Sequence, residues 1–195
     1  MEFCNLKGKI ILVTGASSGI GRQSAIKVSK QGAKLIVTGR DEKRTTETFK
    51  MLTGTNHLSF TTDLLIEQDM DSLVAKLPPL DGIVHCAGIV GPTPVKFIRK
   101  ENIEKLLKIN FEVPVLLTSK ILLSKKLVDK ASIVFLSSVA TQMPYFGGAL
   151  YNSSKSAIES YSKTVALELV KRGIRSNCLS PGLVNTPLIK KPVTD

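Results

Sequence analysis

Short apolar runs rich in β-branched residues alternate along the chain with longer stretches that are predicted to be helical. Continuous apolar runs such as residues 10–13 are typical of strands that are buried on both faces. The predicted strands cover residues 9–14, 34–39, 57–61, 82–86, 132–137 and 175–179. The predicted helices cover residues 19–31, 41–52, 68–76, 99–125 with a break before Pro114, and 150–172.

This alternation predicts right-handed crossovers and a parallel sheet with helices on both of its faces. We therefore expect a three-layer, doubly wound α/β fold that forms a single domain over residues 1–195, a length that fits one domain. In such sheets, ligands bind beyond the carboxyl ends of the strands. The residues that follow each predicted strand are therefore the candidates for binding and catalysis.

The first predicted turn has the sequence TGASSGIG and starts at residue 14. Gly15 permits a tight turn, while Gly19 and Gly21 leave room for a pyrophosphate and for a helix packed closely on a strand. Ser17 and Ser18 offer hydroxyls and an N-cap to a helix whose free N–H groups attract phosphate. The spacing is a variant of the Rossmann-type dinucleotide fingerprint, although a plain strand–turn–helix corner can share it. The predicted phosphate-binding residues are Gly15, Ser17, Ser18, Gly19, Ile20 and Gly21.

The second predicted strand ends at Gly39, and Arg40 follows it. Enzymes that prefer NAD usually carry an acid here for the ribose 2′-hydroxyl, whereas a guanidinium can bind a 2′-phosphate. We therefore expect NADP(H) as the cofactor, the alternative being that Arg40 only faces solvent. Asp63 and Leu64 follow the third strand, where an acid accepts from the adenine amino group, caps the next helix, or does both.

Tyr151 and Lys155 are four residues apart near the start of the last long helix, so they share one helical face. An ammonium at about 4 Å would contribute on the order of 4 kcal/mol and lower the tyrosine pKa by up to roughly three units, toward neutral pH. Ser138 is a candidate to bind a carbonyl or alkoxide, and Asn110 to anchor a water beside Lys155. Each residue alone has an ordinary structural explanation, but their order after a phosphate turn favours catalysis.

The chain carries 27 Lys and Arg against 16 Asp and Glu, a net charge of +11. This charge suits nucleic acid, a membrane surface or an acidic substrate, but no basic run is interleaved with aromatic residues and no apolar run is long enough to span a bilayer. We therefore expect neither nucleic acid nor a membrane as a partner.

The 3 cysteines and 2 histidines show no metal-ligand spacing, so we expect no metal and interpret Cys4, Cys86 and Cys178 as small buried residues. The N-terminal residues lack the apolar segment of a signal peptide, which favours a cytoplasmic location.

Taken together, these motifs resemble the short-chain dehydrogenases/reductases. The resemblance rests on TGASSGIG, HCAG after the fourth strand, Asn110, the Ser137–Ser138 pair, YNSSK and the Pro181–Gly182 turn, and it runs over nearly the whole chain. It implies that Tyr151 is the acid/base and that Lys155 binds the nicotinamide ribose and lowers the tyrosine pKa. It also implies that Ser138 orients the substrate and that Asn110 holds a proton-relay water. The residues implied to shape the nicotinamide pocket are Pro181, Gly182, Val184 and Thr186.

The chain departs from the family pattern in two places. The family usually has Asn-Asn-Ala-Gly where this chain has His85-Cys86-Ala87-Gly88. Ala87 and Gly88 still let the backbone pass the cofactor, whereas Cys86 lacks an amide that usually supports the centre of the sheet, so we expect weaker support there. The chain also ends at Asp195, so the family's final helix and strand, which commonly join a subunit interface, are expected to be lacking. The resemblance further implies a homodimer or homotetramer.

The reaction implied by the resemblance is the reversible reduction of a ketone to a secondary alcohol with NADP(H). One substrate class within it is a 3-oxoacyl thioester on an acyl carrier protein, which is acidic. The cations that are candidates to dock such a carrier are Lys125, Lys126, Lys130, Lys171 and Arg172, although cations at helix ends also favour the helix dipole. The alternative function is a nucleotide-binding or scaffold protein whose catalytic site is impaired.

Overall fold

The computed structural model describes residues 5–188, which form a six-stranded parallel sheet with the strand order β3-β2-β1-β4-β5-β6. The strands are β1 (Ile10–Thr14), β2 (Lys34–Gly39), β3 (Leu58–Thr61), β4 (Leu80–His85), β5 (Leu127–Leu136) and β6 (Arg175–Leu179). The helices are α1 (Gly19–Lys30), α2 (Glu42–Lys50), α3 (Glu67–Lys76), α4 (Lys100–Leu107), α5 (Val113–Leu123) and α6 (Ala149–Glu168). The strand order reverses at β1, which confirms the predicted doubly wound α/β fold.

Two strands begin earlier than the apolar pattern predicts. β4 starts at Leu80, which pairs with Leu127 at the start of β5, and the register then shifts before Gly82. The shift coincides with a backbone irregularity at Lys130, which has a φ of 62°. Because the polar residues Asp129 and Lys130 interrupt the apolar run here, the sequence pattern shows only the second half of β5.

The predicted break in the fourth helix is a π-turn over Lys108–Glu112 that separates α4 from α5. Pro114 lies in the first turn of α5, directly after the π-turn, at a position where helices tolerate proline. Asn110 is at the centre of the π-turn and is buried. Such single turns of π-helix occur frequently at functional sites.

The sheet is buried on both faces, as its continuous apolar runs predict. Successive residues of β1 contribute to opposite layers, with Leu12 in one core and Ile11 and Val13 in the other. A fully buried leucine side chain such as that of Leu12 contributes about 1.5–3 kcal/mol. None of the helices described between residues 5 and 188 is long and apolar enough to cross a bilayer.

His85 ends β4 in the middle of the sheet, stacked on Phe135 with the ring centroids 4.8 Å apart. Its Nε2 is 3.1 Å from Oγ1 of Thr118, whose hydroxyl donates to the carbonyl of Pro114 at 2.7 Å. The threonine proton is thus engaged, so the imidazole donates to Thr118 as a neutral ring. Burial lowers the pKa of His85 from 6.5 to about 3, which keeps the ring neutral in the folded protein.

We expect the fold to lose stability in acid because of His85. Between pH 6.5 and about 3, the unfolded chain binds a proton at His85 that the folded chain does not. The stability that the neutral His85 contributes is therefore fully present above pH 6.5. Below pH 6.5, the free energy of unfolding falls by about 1.4 kcal/mol per pH unit. Urea denaturation of wild type and His85→Asn at several pH values measures the difference, because asparagine does not titrate. Equal slopes in the two proteins would contradict the assignment.

Candidate active site

The turn after β1 has the geometry of a phosphate-binding site. Gly15 has a φ of 63°, and a Cβ there would lie 2.6 Å from the amide nitrogen of Ala87, so a side chain is excluded. A Cβ on Gly21 would lie 2.4 Å from the carbonyl oxygen of Gly15. The turn therefore packs closely against the end of β4, as the glycine spacing predicts.

The amino end of α1 presents free donors beside this turn. Ser18 is the N-cap residue but makes no side-chain capping hydrogen bond within the described chain, so the predicted hydroxyl cap is not formed. The first turn of α1 also carries no acidic residue. Unsatisfied N–H groups and the positive end of the helix dipole suit an anion, so the residues present fit the pyrophosphate of a dinucleotide.

The loop after β6 lies over the same turn. The side chain of Thr186 would be 3.3 Å from a Cβ on Gly19, and Pro181 accepts a hydrogen bond from the amide of Val139 at 3.1 Å. A cleft of about 480 Å³ runs between this loop and the start of α1. The predicted cofactor residues that line the cleft are Ser17, Ser18, Gly19, Ile20, Val184 and Thr186. Gly182 faces open space, with no atom within 4 Å of an added Cβ.

Arg40 follows β2, is exposed and does not line the cleft, whereas two other arginines do. Arg22 donates to the carbonyl of Ser17 at 2.7 Å and to that of Arg44 at 3.1 Å. Arg22 and Arg44 both line the cleft. Neither arginine was predicted from the sequence, although Arg22 directly follows the last glycine of the turn and Arg44 lies four residues after Arg40.

A side chain at position 39 would not fit without rearrangement. A Cβ on Gly39 would lie 2.6 Å from Oγ1 of Thr45 and 3.2 Å from Cβ of Ser17. An acid at position 39 would therefore have to displace the hydroxyl of Thr45 on α2 and would press against Ser17. This packing gives a steric reason for the glycine, in addition to the charge of Arg40.

Asp63 does not cap the next helix, contrary to one of the two roles predicted for it. The N-cap residue of α3 is Ile66, which makes no side-chain capping bond. Asp63 instead closes the turn before the helix, where its Oδ1 accepts from the amide of Leu65 at 3.1 Å. Contact of Asp63 and Leu64 with an adenine stays a prediction.

Tyr151 and Lys155 lie on one face of α6, one turn apart, as their spacing predicts. Lys155 is only 6 % exposed, and its Nζ donates to the carbonyl of Leu136 at the end of β5 over 2.7 Å. The same Nζ is 5.7 Å from the centroid of the Tyr151 ring. Burial lowers the pKa of Lys155 to about 8, so the ammonium is still mostly charged at neutral pH.

The pKa of Tyr151 moves opposite to the predicted direction. Burial raises it above the ordinary value of 10.0, and a hydrogen bond with the hydroxyl of Ser138 only opposes that rise. The prediction assumed that the ammonium points at the phenol oxygen, whereas Lys155 donates to Leu136. Tyr151 is therefore a protonated phenol at neutral pH in this structure.

Ser138 follows β5 and begins a short 3-10 turn over Val139–Thr141. Its Oγ accepts from the amide of Ala140 at 3.2 Å, which leaves the hydroxyl proton to be donated elsewhere. Because Ser138 also lies beside the phenol of Tyr151, one oxygen atom of a ligand can contact both hydroxyl groups. This arrangement suits a carbonyl oxygen that gains negative charge.

Asn110 holds α6 against the loop after β4. Its Oδ1 accepts from the amide of Ile89 at 2.9 Å, and its Nδ2 donates to the carbonyl of Ile89 at 3.0 Å and to Oγ of Ser154 at 3.1 Å. Both amide protons are thus engaged within the protein. The role of anchoring a proton-relay water stays a prediction.

The segment after β4 is supported by the hydroxyl of Thr14. Its Oγ1 accepts from the amides of Cys86 at 3.2 Å and Ala87 at 3.3 Å, which supplies backbone support where an amide side chain is lacking. Gly88 faces Asn110 and Lys155, since a Cβ there would lie 3.2 Å from Oδ1 of Asn110 and 3.7 Å from Nζ of Lys155.

The two described cysteines are free thiols, and both are half-buried where full burial was predicted. Burial raises the pKa of the Cys86 thiol to about 12, so it stays protonated at neutral pH. Cys4 lies outside the described residues. Within residues 5–188, no group of three or more His, Cys, Asp and Glu side chains is placed to hold a metal ion.

Comparison with known proteins shows the family of this chain. The family model described as short chain dehydrogenase matches residues 9–195. The chain is 34 % identical over 193 residues to a glucose 1-dehydrogenase of Gluconobacter oxydans, covering 93 % of this chain and 71 % of that protein. The chain therefore belongs to the short-chain dehydrogenase family, whose members are oxidoreductases that bind nicotinamide cofactors.

Two solved structures of similar fold contain different cofactors. An actinorhodin polyketide ketoreductase with NADPH has a TM-score of 0.85 and 28 % identity, over 92 % of this chain and 72 % of that one. A 3-ketoacyl-(acyl-carrier-protein) reductase of Brucella melitensis complexed with NADH also has a TM-score of 0.85, with 27 % identity, over 95 % of this chain and 80 % of that one. Both NADPH and NADH therefore occur among its structural relatives.

Loss of the Thr14 hydroxyl should destabilise the centre of the sheet. Thr14→Val keeps the shape of the side chain but leaves the amides of Cys86 and Ala87 without their acceptor, at a cost of about 1–3 kcal/mol for a buried unsatisfied group. Thr14→Ser is the matched control because it keeps the oxygen. Chemical denaturation compares the three proteins, and equal stability of the valine and serine variants would rule out this support.

Proposed function

We propose that this chain is an NADP(H)-dependent oxidoreductase that interconverts a ketone and a secondary alcohol. The observation that carries the proposal is the convergence of Ser138, Tyr151 and Lys155 at the carboxyl end of β5, beside a phosphate-binding turn. The nicotinamide, when bound, supplies or takes up the hydride. The side chains of this chain supply the proton and hold the reacting oxygen.

In ketone reduction, Tyr151 donates its phenol proton to the carbonyl oxygen as negative charge develops there. Ser138 donates a hydrogen bond to the same oxygen and holds the carbonyl in place. The raised pKa of Tyr151 keeps the phenol protonated at neutral pH, which suits a general acid for reduction. The charged ammonium of Lys155, 5.7 Å from the ring centroid, stabilises the phenolate that remains.

The preference for NADP(H) is proposed from the charges around the end of β2. Arg40 is exposed there, Arg44 lines the neighbouring cleft while paired with Asp41 at 2.8 Å, and an acid at position 39 would have to displace the hydroxyl of Thr45. A guanidinium can bind a 2′-phosphate through charge-assisted hydrogen bonds. The pyrophosphate would be held by the turn after β1, through Ser17, Ser18, Gly19, Ile20 and Gly21. The nicotinamide side would be lined by Cys86, Ala87, Gly88, Pro181, Gly182, Val184 and Thr186.

The substrate that fits the site is a ketone with apolar substituents. The loop before α6 exposes Met143 and Phe146, the latter at 87 % of its surface. The amide of Thr93 in the loop after β4 donates to the carbonyl of Gly147 at 2.8 Å, which joins these two loops. Exposed apolar side chains beside a proton donor favour an apolar ligand over a charged or sugar-like one.

The structure favours a free ketone over one carried by an acyl carrier protein. Lys171 and Arg172 lie beyond the carboxyl end of α6, whose 20 residues place them about 30 Å from Tyr151. Arg172 donates to Asp129 at 2.9 Å and so lies at the amino end of β5, opposite Ser138. A carrier docked on these cations would have to reach the site of the same chain over that distance, which counts against the docking surface expected from the sequence.

We also propose that the chain forms a homodimer or homotetramer. α5 and α6 border an apolar groove lined by Leu122, Leu123, Tyr161 and Val165, and Leu123 is 79 % exposed. Cover by a second copy of the chain would remove this apolar surface from water. We also propose that the protein is located in the cytoplasm.

Replacing Tyr151 by phenylalanine should remove catalysis and leave cofactor binding intact. General acid catalysis accounts for on the order of 10²–10⁴-fold in rate, so we expect kcat for reduction of apolar ketones to fall by that factor. Tyr161→Phe, the same change on the same helix, is the control and should keep full activity. NADPH binding, followed by fluorescence titration, should be unchanged in both variants. If wild type and Tyr151→Phe are equally inert on a graded ketone panel and both bind NADPH, the chain is a nucleotide-binding protein without this activity.

The cofactor preference should reverse when the charge at position 40 is reversed. Arg40→Asp removes a charge-assisted contact with a 2′-phosphate, so KM for NADPH should rise by about ten- to a hundredfold while KM for NADH falls. Lys43→Asp makes the same change in charge on the exposed face of α2 and controls for the general field. An unchanged ratio of the two Michaelis constants in Arg40→Asp would exclude Arg40 as the selector.

A further inference from the structure

Three hydroxyl groups converge on one carboxylate oxygen next to the catalytic residues. Oε1 of Glu159 accepts from Ser137 at 2.5 Å, from Thr141 at 3.2 Å and from Ser180 at 3.4 Å. Glu159 is half-buried and lies on α6 one turn after Lys155. Neither the sequence motifs nor the proposed chemistry assigns it a role.

The three hydroxyl groups belong to the segments that carry Ser138 and the loop after β6. Ser137 directly precedes Ser138, and Thr141 ends the 3-10 turn that Ser138 begins. Ser180 directly precedes Pro181, the first residue of the loop proposed to line the nicotinamide side. Glu159 thus connects the catalytic helix with both segments through a single atom.

Backbone hydrogen bonds join these two segments to each other. The amide of Ser137 donates to the carbonyl of Leu179 at 2.7 Å, and the amide of Val139 donates to the carbonyl of Pro181 at 3.1 Å. Ser138 therefore lies between two bonds to the end of β6. The carboxylate of Glu159 fixes the position of this pair of segments relative to Tyr151 and Lys155.

A negative charge suits this position better than a neutral acceptor. Ser137 has one hydroxyl proton and two acceptors within reach, Glu159 at 2.5 Å and the carbonyl of Lys155 at 3.4 Å. The shorter bond to the carboxylate takes the proton, because hydrogen bonds to charged groups are stronger than those to neutral ones. Without the carboxylate, Ser180 would lose this acceptor, Ser137 would keep only the carbonyl of Lys155 at 3.4 Å, and Thr141 would keep the carbonyl of Ser138 at 3.0 Å.

We propose that Glu159 is a positioning residue, which holds Ser138 and the turn after β6 in register with Tyr151 and Lys155. The expected effect on kcat rests on the proposed reductase function, whereas the expected effect on the position of these segments does not. Glu159 itself does not contact the reacting atoms. Its loss should therefore impair the geometry of catalysis without removing the proton donor.

The test compares Glu159→Ala, Glu159→Gln and Glu101→Ala in the full chain. Glu101 is an exposed carboxylate in the first turn of α4 and is the control for loss of charge. In Glu159→Ala we expect faster hydrogen–deuterium exchange confined to the amides of residues 137–141 and 179–182, measured without any ligand. We also expect kcat for ketone reduction to fall on the order of tenfold, with little change in KM for NADPH, because the phosphate turn lies outside this network.

Glu159→Gln keeps an oxygen acceptor and should recover part of the lost kcat, whereas Glu101→Ala should match wild type throughout. Wild-type kcat together with unchanged exchange in Glu159→Ala would overturn the proposal. Exchange that rises uniformly over the whole chain, with kcat lost only in proportion to the folded fraction, would also overturn it in favour of a general role in stability. An inactive wild type would refute the proposed reductase function, and the exchange pattern would still decide the role of Glu159.

Discussion

The side-chain amide of Asn110 lies at the junction of the loop after β4, the π-turn and α6. It pairs with both backbone groups of Ile89 and donates to Ser154, whose hydroxyl in turn donates to the carbonyl of Tyr151 at 2.7 Å. Asn110 is only 2 % exposed, so water does not compete for these hydrogen bonds. An amide group left unpaired at this buried position would cost free energy. The position of Tyr151 and Lys155 relative to the sheet depends on this junction.

The parallel sheet brings the remaining groups to the same place. Thr14, Cys86 and Ser138 lie at or just beyond the carboxyl ends of β1, β4 and β5, which are neighbours in the sheet. Lys155 is tied to the end of β5 through Leu136, so helix and sheet are connected where the ligand would lie. A helix end suited to phosphate and the hydroxyl groups proposed to bind and protonate a carbonyl thus share one edge of the sheet.

Much of this arrangement could be predicted from the sequence because it depends on local spacing. The glycine turn follows from the spacing of its glycines, the shared face of Tyr151 and Lys155 from the period of a helix, and the parallel sheet from the alternation of strands and helices. The early start of β5 could not be predicted, since Asp129 and Lys130 interrupt its apolar run at a local irregularity. Arg22, Arg44 and Glu159 were missed because their contacts join segments that are distant in sequence.

The pKa of Tyr151 shows where spacing alone gives the wrong answer. Four residues of helix place an ammonium near the phenol, but the carbonyl of Leu136 takes its hydrogen bond and burial raises the tyrosine pKa. The direction of a pKa shift depends on what each polar atom contacts in three dimensions. The raised pKa makes Tyr151 a proton donor at rest, and the charge of Lys155 matters once the phenolate forms.

The most direct test of this account is the pH dependence of kcat for ketone reduction in wild type and in Lys155→Met. The methionine keeps an apolar stem of similar length and removes the charge. Because the pKa of Lys155 is about 8, we predict that kcat of the wild type falls as the pH rises through about 8, where the ammonium that stabilises the forming phenolate loses its proton. In Lys155→Met we predict a lower kcat at neutral pH and no such fall near a pH of about 8. Profiles of the same shape and height in both proteins would contradict the claim that Tyr151 and Lys155 act together in proton transfer.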